Sequence, residues 1–170
     1  ELDPRIQAAV TFSVACDLAS SAERLELWQN RIYMQRFLKT LTAKIRIKMD
    51  QFPGALLDHG LDTMRTFREF DGAYTAPIHG FSSAEHYWSH CSAQRWIRDI
   101  QVPTLLVNAK DDPFLPPSCY PYEQAKLSRH FHLEVPTHGG HLGFIGGAPQ
   151  GTYWSECRTV EFLDSQIAKA

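Results

Sequence analysis

Residues 102–116 read VPTLLVNAKDDPFLP, and the order of chemistry along them decides the fold. VPTLLVNA (102–109) is apolar without a polar alternation. That pattern suits a strand buried on both faces, as the strands of a parallel sheet are. The run empties directly into two carboxylates and a proline. The same plan recurs at 130–144, HFHLEVPTHGGHLGF, where the short run HFHLEV (130–135) is followed by His141 among Gly139, Gly140 and Gly143. A third run, AAVTFSVA (8–15), lies near the start of the chain.

Between these runs the apolar period changes from that of a strand to that of a helix. SAERLELWQNRIYMQRFLKTLTAKIRIKM (21–49) carries apolar residues at Leu25, Trp28, Ile32, Phe37, Leu38, Leu41, Ile45 and Met49, which predicts one or two amphipathic helices ended by QFPG (51–54). LDTMRTFREF (61–70) and SSAEHYWSHCSAQRWI (82–97) predict shorter helices, the second opened by a Ser82-x-x-Glu85 capping box. YWSECRTVEFLDSQIAKA (153–170) predicts a final helix. Strands separated by helices define the α/β class, a parallel sheet with right-handed crossovers. No internal repeat or low-complexity segment interrupts the pattern.

In open α/β sheets the chemistry gathers beyond the carboxyl ends of the strands. That rule brings the acidic pair Asp111–Asp112 and the glycine-flanked His141 to one sheet edge. Acid before histidine is the closing part of the Ser…Asp…His order by which one hydrolase class arranges a nucleophile, an acid and a base. Neighbouring residues at a strand end point to opposite sides, so only one of the two aspartates is expected to face the imidazole. Pro113 restricts Asp112 to an extended backbone. The glycines permit positive φ and close approach, which lets the histidine loop fold back over the sheet edge. His138 reads as a loop hydrogen-bonder. His86 and His90 stand four apart on a predicted helix, but no third metal ligand accompanies them, and no metal site is expected.

Composition excludes several other classes. The 170 residues are 44% hydrophobic and 21% charged with a formal charge of −2, so no basic footprint for nucleic acid is present. No run approaches the roughly 18 apolar residues of a membrane span. The four cysteines, Cys16, Cys91, Cys119 and Cys157, are widely spaced and form no CxxC. They read as reduced thiols of a cytoplasmic protein.

Taken together, VPTLLVNAKDDPFLP, GGHLGFIGG followed by YWSE, REFDGAYTAPIHGFSSAEHYW and DPRIQAAVTFSVACDL resemble the YheT-like branch of the α/β-hydrolases over nearly all of the chain. The resemblance implies the C-terminal half of an α/β-hydrolase fold. Residues 1–18 would hold the core strand that follows the nucleophile region, 19–95 a helical cap and the return to the core, and 96–170 the last core strands, the acid and histidine loops and the final helix. It implies ester hydrolysis by a serine nucleophile without a cofactor, and by position it supplies Asp112 as the acid and His141 as the base. The acid directly before proline is the family's pattern, which leaves Asp111 as a turn former or loop cap.

The family's G-x-S-x-G nucleophile motif is absent from the sequence. Ser13 lies inside a strand-like run, and the loop around Cys16 lacks the glycine-dependent elbow. The nucleophile and its oxyanion donors are therefore expected upstream of Glu1, in an N-terminal half of the same protein. Without that half the chain is expected to be inactive, and its first strand to self-associate through an open edge. The aromatics of the cap, Trp28, Tyr33, Phe37, Phe67, Phe70, Tyr74, Tyr87 and Trp88, are expected mainly to pack the cap, with two or three lining a path for an acyl ester or lipid-like substrate. Two alternatives stand beside this reading. One is another reaction of the same fold, epoxide or haloalkane hydrolysis, with an aspartate as nucleophile. The other is a non-catalytic, partner-binding module.

Overall fold

The computed structural model describes residues 3–146 and 151–167. Three strands, β1 (Ala9–Phe12), β2 (Thr104–Val107) and β3 (Phe131–Glu134), form one parallel sheet in the order β1-β2-β3. The helices are α1 (Leu18–Glu26), α2 (Arg31–Gln51), α3 (Phe67–Phe70), α4 (Ala76–Ile78), α5 (Ala84–Cys91), α6 (Tyr122–Leu127) and α7 (Trp154–Ile167). The chain packs as two compact units. One comprises Glu1–Asp17 with Ser92–Ala170, and the other is Leu18–Cys91.

The sheet belongs to the first unit. β2 is its centre and is buried on both faces, as its unbroken apolar run requires. Leu106 packs with Cys16, Ile97, Leu115, Cys119 and Phe131 on one side. Leu105, Val107 and Ala109 pack with Phe144 and Phe162 on the other. Burial pushes the Cys16 thiol up to about 12, aided by Cys119 and Asp17, so it serves the core as a small apolar group. The register is level: Phe12 faces Val107, and Val107 faces Glu134. All three strands thus end in one row, and their exit loops leave from one edge. Each strand has four residues, fewer than its apolar run. Beyond the ladder the backbone still pairs, Asn108 N–H donating to the Glu134 carbonyl (3.1 Å) and Lys110 N–H to that of Pro136 (2.9 Å), but as loop contacts that let the chain turn.

The second unit is helical. Its core joins Ala22 of α1 to Ala84 and Trp88 of α5. The Trp88 indole N–H is satisfied by Asp71 at 2.8 Å, and the Tyr74 hydroxyl donates to the Leu57 carbonyl at 3.2 Å. Several details depart from the sequence pattern. The 21–49 segment divides at a 3-10 turn, Trp28–Asn30, which resets the helical phase. Trp28 and Ile32 consequently leave the predicted apolar stripe and are 81% and 77% exposed, whereas α2 buries Met34 and Leu38. The predicted 61–70 helix is broken into a 3-10 turn, Leu61–Thr63, and α3. The break falls where Thr66 and Glu69 form a true capping box. The box predicted at Ser82 and Glu85 does not form. The Ser83 hydroxyl accepts the His86 N–H at 3.1 Å, and Glu85 pairs instead with Arg68, whose guanidinium outcompetes a backbone N–H for the carboxylate. The final helix spans 154–167, and residues 168–170 of its predicted range lie outside the described residues.

Candidate active site

The row of strand ends sets three loops side by side, and one buried amide ties two of them together. Asn108, the residue after β2, is fully buried. Its Oδ1 accepts the Val14 N–H (2.9 Å), and its Nδ2 donates to the Val14 carbonyl (3.0 Å) and to the Cys119 carbonyl (2.8 Å). The side chain thereby continues the sheet's hydrogen bonding past the last ladder residue. Tyr120 adds a hydroxyl bond to the Ala109 carbonyl at 2.7 Å. The loop after β2 is fixed before it reaches the acids.

At the acidic pair the chain turns, with Asp112 N–H on the Ala109 carbonyl (3.2 Å). The two carboxylates then part. Asp112 points inward. Its Oδ1 accepts the Phe114 N–H at 2.9 Å, and its Oδ2 lies 2.9 Å from His141 Nδ1. The Asp112 side chain is 0% exposed and that of His141 33%. Asp111 points along the loop. Its Oδ1 accepts both the Gly139 N–H (2.9 Å) and the Gly140 N–H (2.7 Å), and its Oδ2 lies 3.4 Å from His138 Nδ1. The Gly140 amide, helped by His138 and by Gly139, holds the Asp111 carboxyl below its ordinary value against the opposing effect of burial.

The histidine loop is a turn closed on itself: the Gly139 carbonyl accepts the N–H groups of Gly143 (2.9 Å) and Phe144 (3.1 Å). Its glycines have different reasons to be there. A Cβ on Gly139 would stand 2.6 Å from the Phe144 ring and 2.8 Å from Ala109 Cβ, and one on Gly143 would stand 2.8 Å from the Gly139 carbonyl oxygen. Gly140 has φ +55. Phe144 is the loop's apolar anchor, edge-on to Phe12 (5.3 Å between centroids) and stacked on Trp154 (6.0 Å). Phe114 packs beside the His141 ring at 4.7 Å. The far end of β1 reaches the same loop, since the Ser13 hydroxyl donates to the His141 carbonyl.

The structure therefore brings Asp112 and His141 together and gives Asp111 to the loop backbone, with His138 beside its second oxygen. Ser13, Asn108 and Phe114 were not singled out as site residues by the sequence reading. The signal for Asn108 was present, a polar residue ending the apolar run LLVN. His86 and His90 lie 4.6 Å apart between ring centroids, with His86 Nδ1 turned to Ser82. Among the described residues no three His, Cys, Asp or Glu side chains are grouped to hold a metal ion, and no helix is long and apolar enough to cross a membrane.

A buried carboxylate on one ring nitrogen of a histidine fixes the tautomer, with the proton on Nδ1, and leaves Nε2 as the nitrogen able to accept a proton. A parallel sheet carrying such a pair on the loops after its last two strands has the architecture of an α/β-hydrolase. The chain belongs to the YheT-like branch of that superfamily. It is 35% identical to YheT of Escherichia coli (strain K12) over 170 residues, which cover 97% of this chain and 49% of that protein. It is 28% identical to the mouse phospholipase ABHD3 over 97% of this chain and 39% of the relative. It is also 28% identical to the medium-chain fatty acid ethyl ester synthase/esterase 2 of Saccharomyces cerevisiae, over 93% of this chain and 40% of the relative. The chain thus spans half or less of the length of these relatives. No protein-family model and no solved structure matches it.

Proposed function

We propose that Asp112 and His141 are the acid and base of a Ser-Asp-His triad that hydrolyses carboxylic esters, with an acyl ester or lipid-like substrate and a serine contributed from outside this chain. The observation that carries this reading is the 2.9 Å contact between a fully buried carboxylate and a partly exposed imidazole. A pair built only for stability would gain little from leaving one ring edge accessible. A base that must meet a substrate needs that access. The names of the relatives point the same way, one a phospholipase and one a medium-chain ester synthase/esterase.

In this mechanism His141 Nε2 takes the proton of the serine hydroxyl while the oxygen attacks the ester carbonyl carbon. Asp112 stabilises the imidazolium that results and keeps it oriented. His141 then hands the proton to the departing alkoxide as the carbon–oxygen bond breaks, leaving an acyl-enzyme and a free alcohol. A water molecule, deprotonated by the same nitrogen, attacks the acyl-enzyme, and the proton returns to the serine as the carboxylic acid leaves. Only neutral imidazole begins the cycle. Asp112 Oδ1, held by the Phe114 N–H, stops the carboxylate from rotating away during the proton transfers.

The test is a comparison of His141→Ala and Asp112→Asn in the intact enzyme on a p-nitrophenyl ester. Each is expected to lower kcat by about 10³-fold or more, since an amide at position 112 favours the wrong tautomer. A near wild-type kcat for His141→Ala would overturn the assignment. A scaffold has no need of an imidazole there and would show that outcome.

A further inference from the structure

We infer that Asp111 and Ser13 are positioning residues for His141, a two-sided clamp on the backbone that carries the ring; the inference rests on the catalytic reading above. Asp111 acts on the amino-terminal side. One of its carboxylate oxygens accepts two successive amide protons, those of Gly139 and Gly140, at 2.9 and 2.7 Å. Two consecutive N–H groups converging on one anion, with the second residue left-handed, make a nest. It fixes the two peptide planes that flank Gly139, one peptide short of His141.

Ser13 acts on the carboxyl-terminal side. Its hydroxyl donates to the His141 carbonyl and so holds the peptide plane immediately after the same residue. Ser13 itself has φ 54, a conformation that few non-glycine residues adopt and that surrounding structure must enforce. That enforcement is visible. The Ser13 N–H is tied to the Val107 carbonyl at 2.9 Å, and the next residue, Val14, is pinned by Asn108 at both its N–H and its carbonyl.

With the backbone held on both sides of His141, at Gly139–Gly140 before it and at its own carbonyl after it, the direction in which the ring leaves the chain is restricted. The remaining side-chain rotations are limited by Phe114 and by Asp112. Neither clamp residue is free for chemistry of its own. The Asp111 oxygens face amides and His138, and the Ser13 hydroxyl is committed to a carbonyl. The adjacent aspartates therefore have complementary roles, since Asp112 holds the ring and Asp111 holds the chain beneath it.

The experiment measures kcat and KM for Asp111→Ala, Asp111→Asn, Ser13→Ala and Asp111→Ala/Ser13→Ala in the intact enzyme, with His141→Ala as the inactive control. It also records the proton NMR signal of the Nδ1 hydrogen shared by His141 and Asp112. Displacing a reacting group by about 1 Å costs up to about 10²-fold. Asp111→Ala is expected to lower kcat by about 10- to 100-fold with KM nearly unchanged, and Ser13→Ala by about tenfold. The double variant should lose less than the product of the two, because both act on one backbone segment. Asp111→Asn keeps an oxygen acceptor and should recover most of the rate. The shared-proton signal should weaken in Asp111→Ala and persist in Asp111→Asn. Wild-type kcat in Asp111→Ala and Ser13→Ala, with His141→Ala inactive, overturns the clamp and spares the triad. An active His141→Ala overturns the triad instead. Should Asp111→Ala fail to fold, Ser13→Ala decides, and a wild-type kcat with an unchanged shared-proton signal overturns the clamp.

Discussion

Asp111 and Asp112 are consecutive in the chain, and their side chains bind the same loop at different depths. Asp112 meets the His141 ring in the protein interior, and Asp111 meets the Gly139 and Gly140 amides near the surface. The division arises beyond the strand, in the turn that the Asp112 N–H closes on the Ala109 carbonyl. The Phe114 N–H on its Oδ1 then holds the Asp112 carboxylate inward.

The surface carboxylate gives a pH prediction. The Gly140 amide is the main reason that Asp111 ionises below its ordinary value of 3.8. A depressed pKa means that the unfolded chain binds the proton more readily than the folded one. The contribution of Asp111 is thus complete above the ordinary aspartate range and is lost as pH falls through the depressed folded value. The amide proton shifts of Gly139 and Gly140 should therefore titrate together, with a midpoint under 3.8. Titration at or above that value would show that the anion does not bind the two amides in solution.

Asn108 carries a different kind of stability. It is fully buried and satisfies one N–H and two carbonyls on other segments. Asn108→Ala strands those groups, and at about 1 kcal/mol net per bond the expected loss is about 2–4 kcal/mol. Asn108→Asp is nearly the same shape but replaces the donor amide by an acceptor facing two carbonyls, and should cost at least as much. Urea denaturation midpoints measure both. An aspartate variant as stable as the wild type would refute this account of the amide.

Much of this arrangement was legible in the sequence. The apolar runs at 8–15 and 102–109 mark β1 and β2, and the alternating run HFHLEV at 130–135 marks β3, an outer strand whose His132 is exposed. The level register then brings the acid and the histidine loops to one edge. What was not legible depended on competition between groups far apart in sequence. Nothing local reveals that Glu85 prefers Arg68 to the end of its own helix, or that a 3-10 turn at Trp28 shifts the phase of α2. The hydroxyl of Ser13 finds the carbonyl of His141 across 128 residues, a contact that no sequence window contains.

The glycines of the histidine loop make a graded test. At Gly139 an added methyl would press on the Phe144 ring at 2.6 Å and on Ala109 at 2.8 Å, whereas at Gly146 it would meet nothing within 4 Å among the described residues. Overpacking of this kind typically costs about 1–3 kcal/mol, while an unhindered surface change stays within about 0.5 kcal/mol. Gly139→Ala should lower the melting temperature and, by moving the loop, the rate. Gly146→Ala should do neither. Equal melting temperatures for the two variants would contradict the packing described for Phe144.

The last prediction concerns residues 1–170 prepared as a polypeptide by themselves. The proposed mechanism needs a serine at a sharp, glycine-flanked elbow and amide donors for the oxyanion. No G-x-S-x-G occurs in the sequence. Ser13, beside the histidine loop, spends its hydroxyl on the His141 carbonyl and does not offer it to the ring. The polypeptide should therefore give no p-nitrophenyl ester turnover that depends on His141. Its sheet also has two outer strands, and β1 pairs only with β2 among the described residues. The other edge of β1, in an apolar run, leaves backbone N–H and carbonyl groups open to pairing with another chain. Sedimentation velocity should accordingly show self-association that grows with concentration. Two results would count against this reasoning: ester turnover abolished by His141→Ala, which would mean a nucleophile lies within these 170 residues, or a single monomeric species across the concentration range, which would mean the β1 edge is protected.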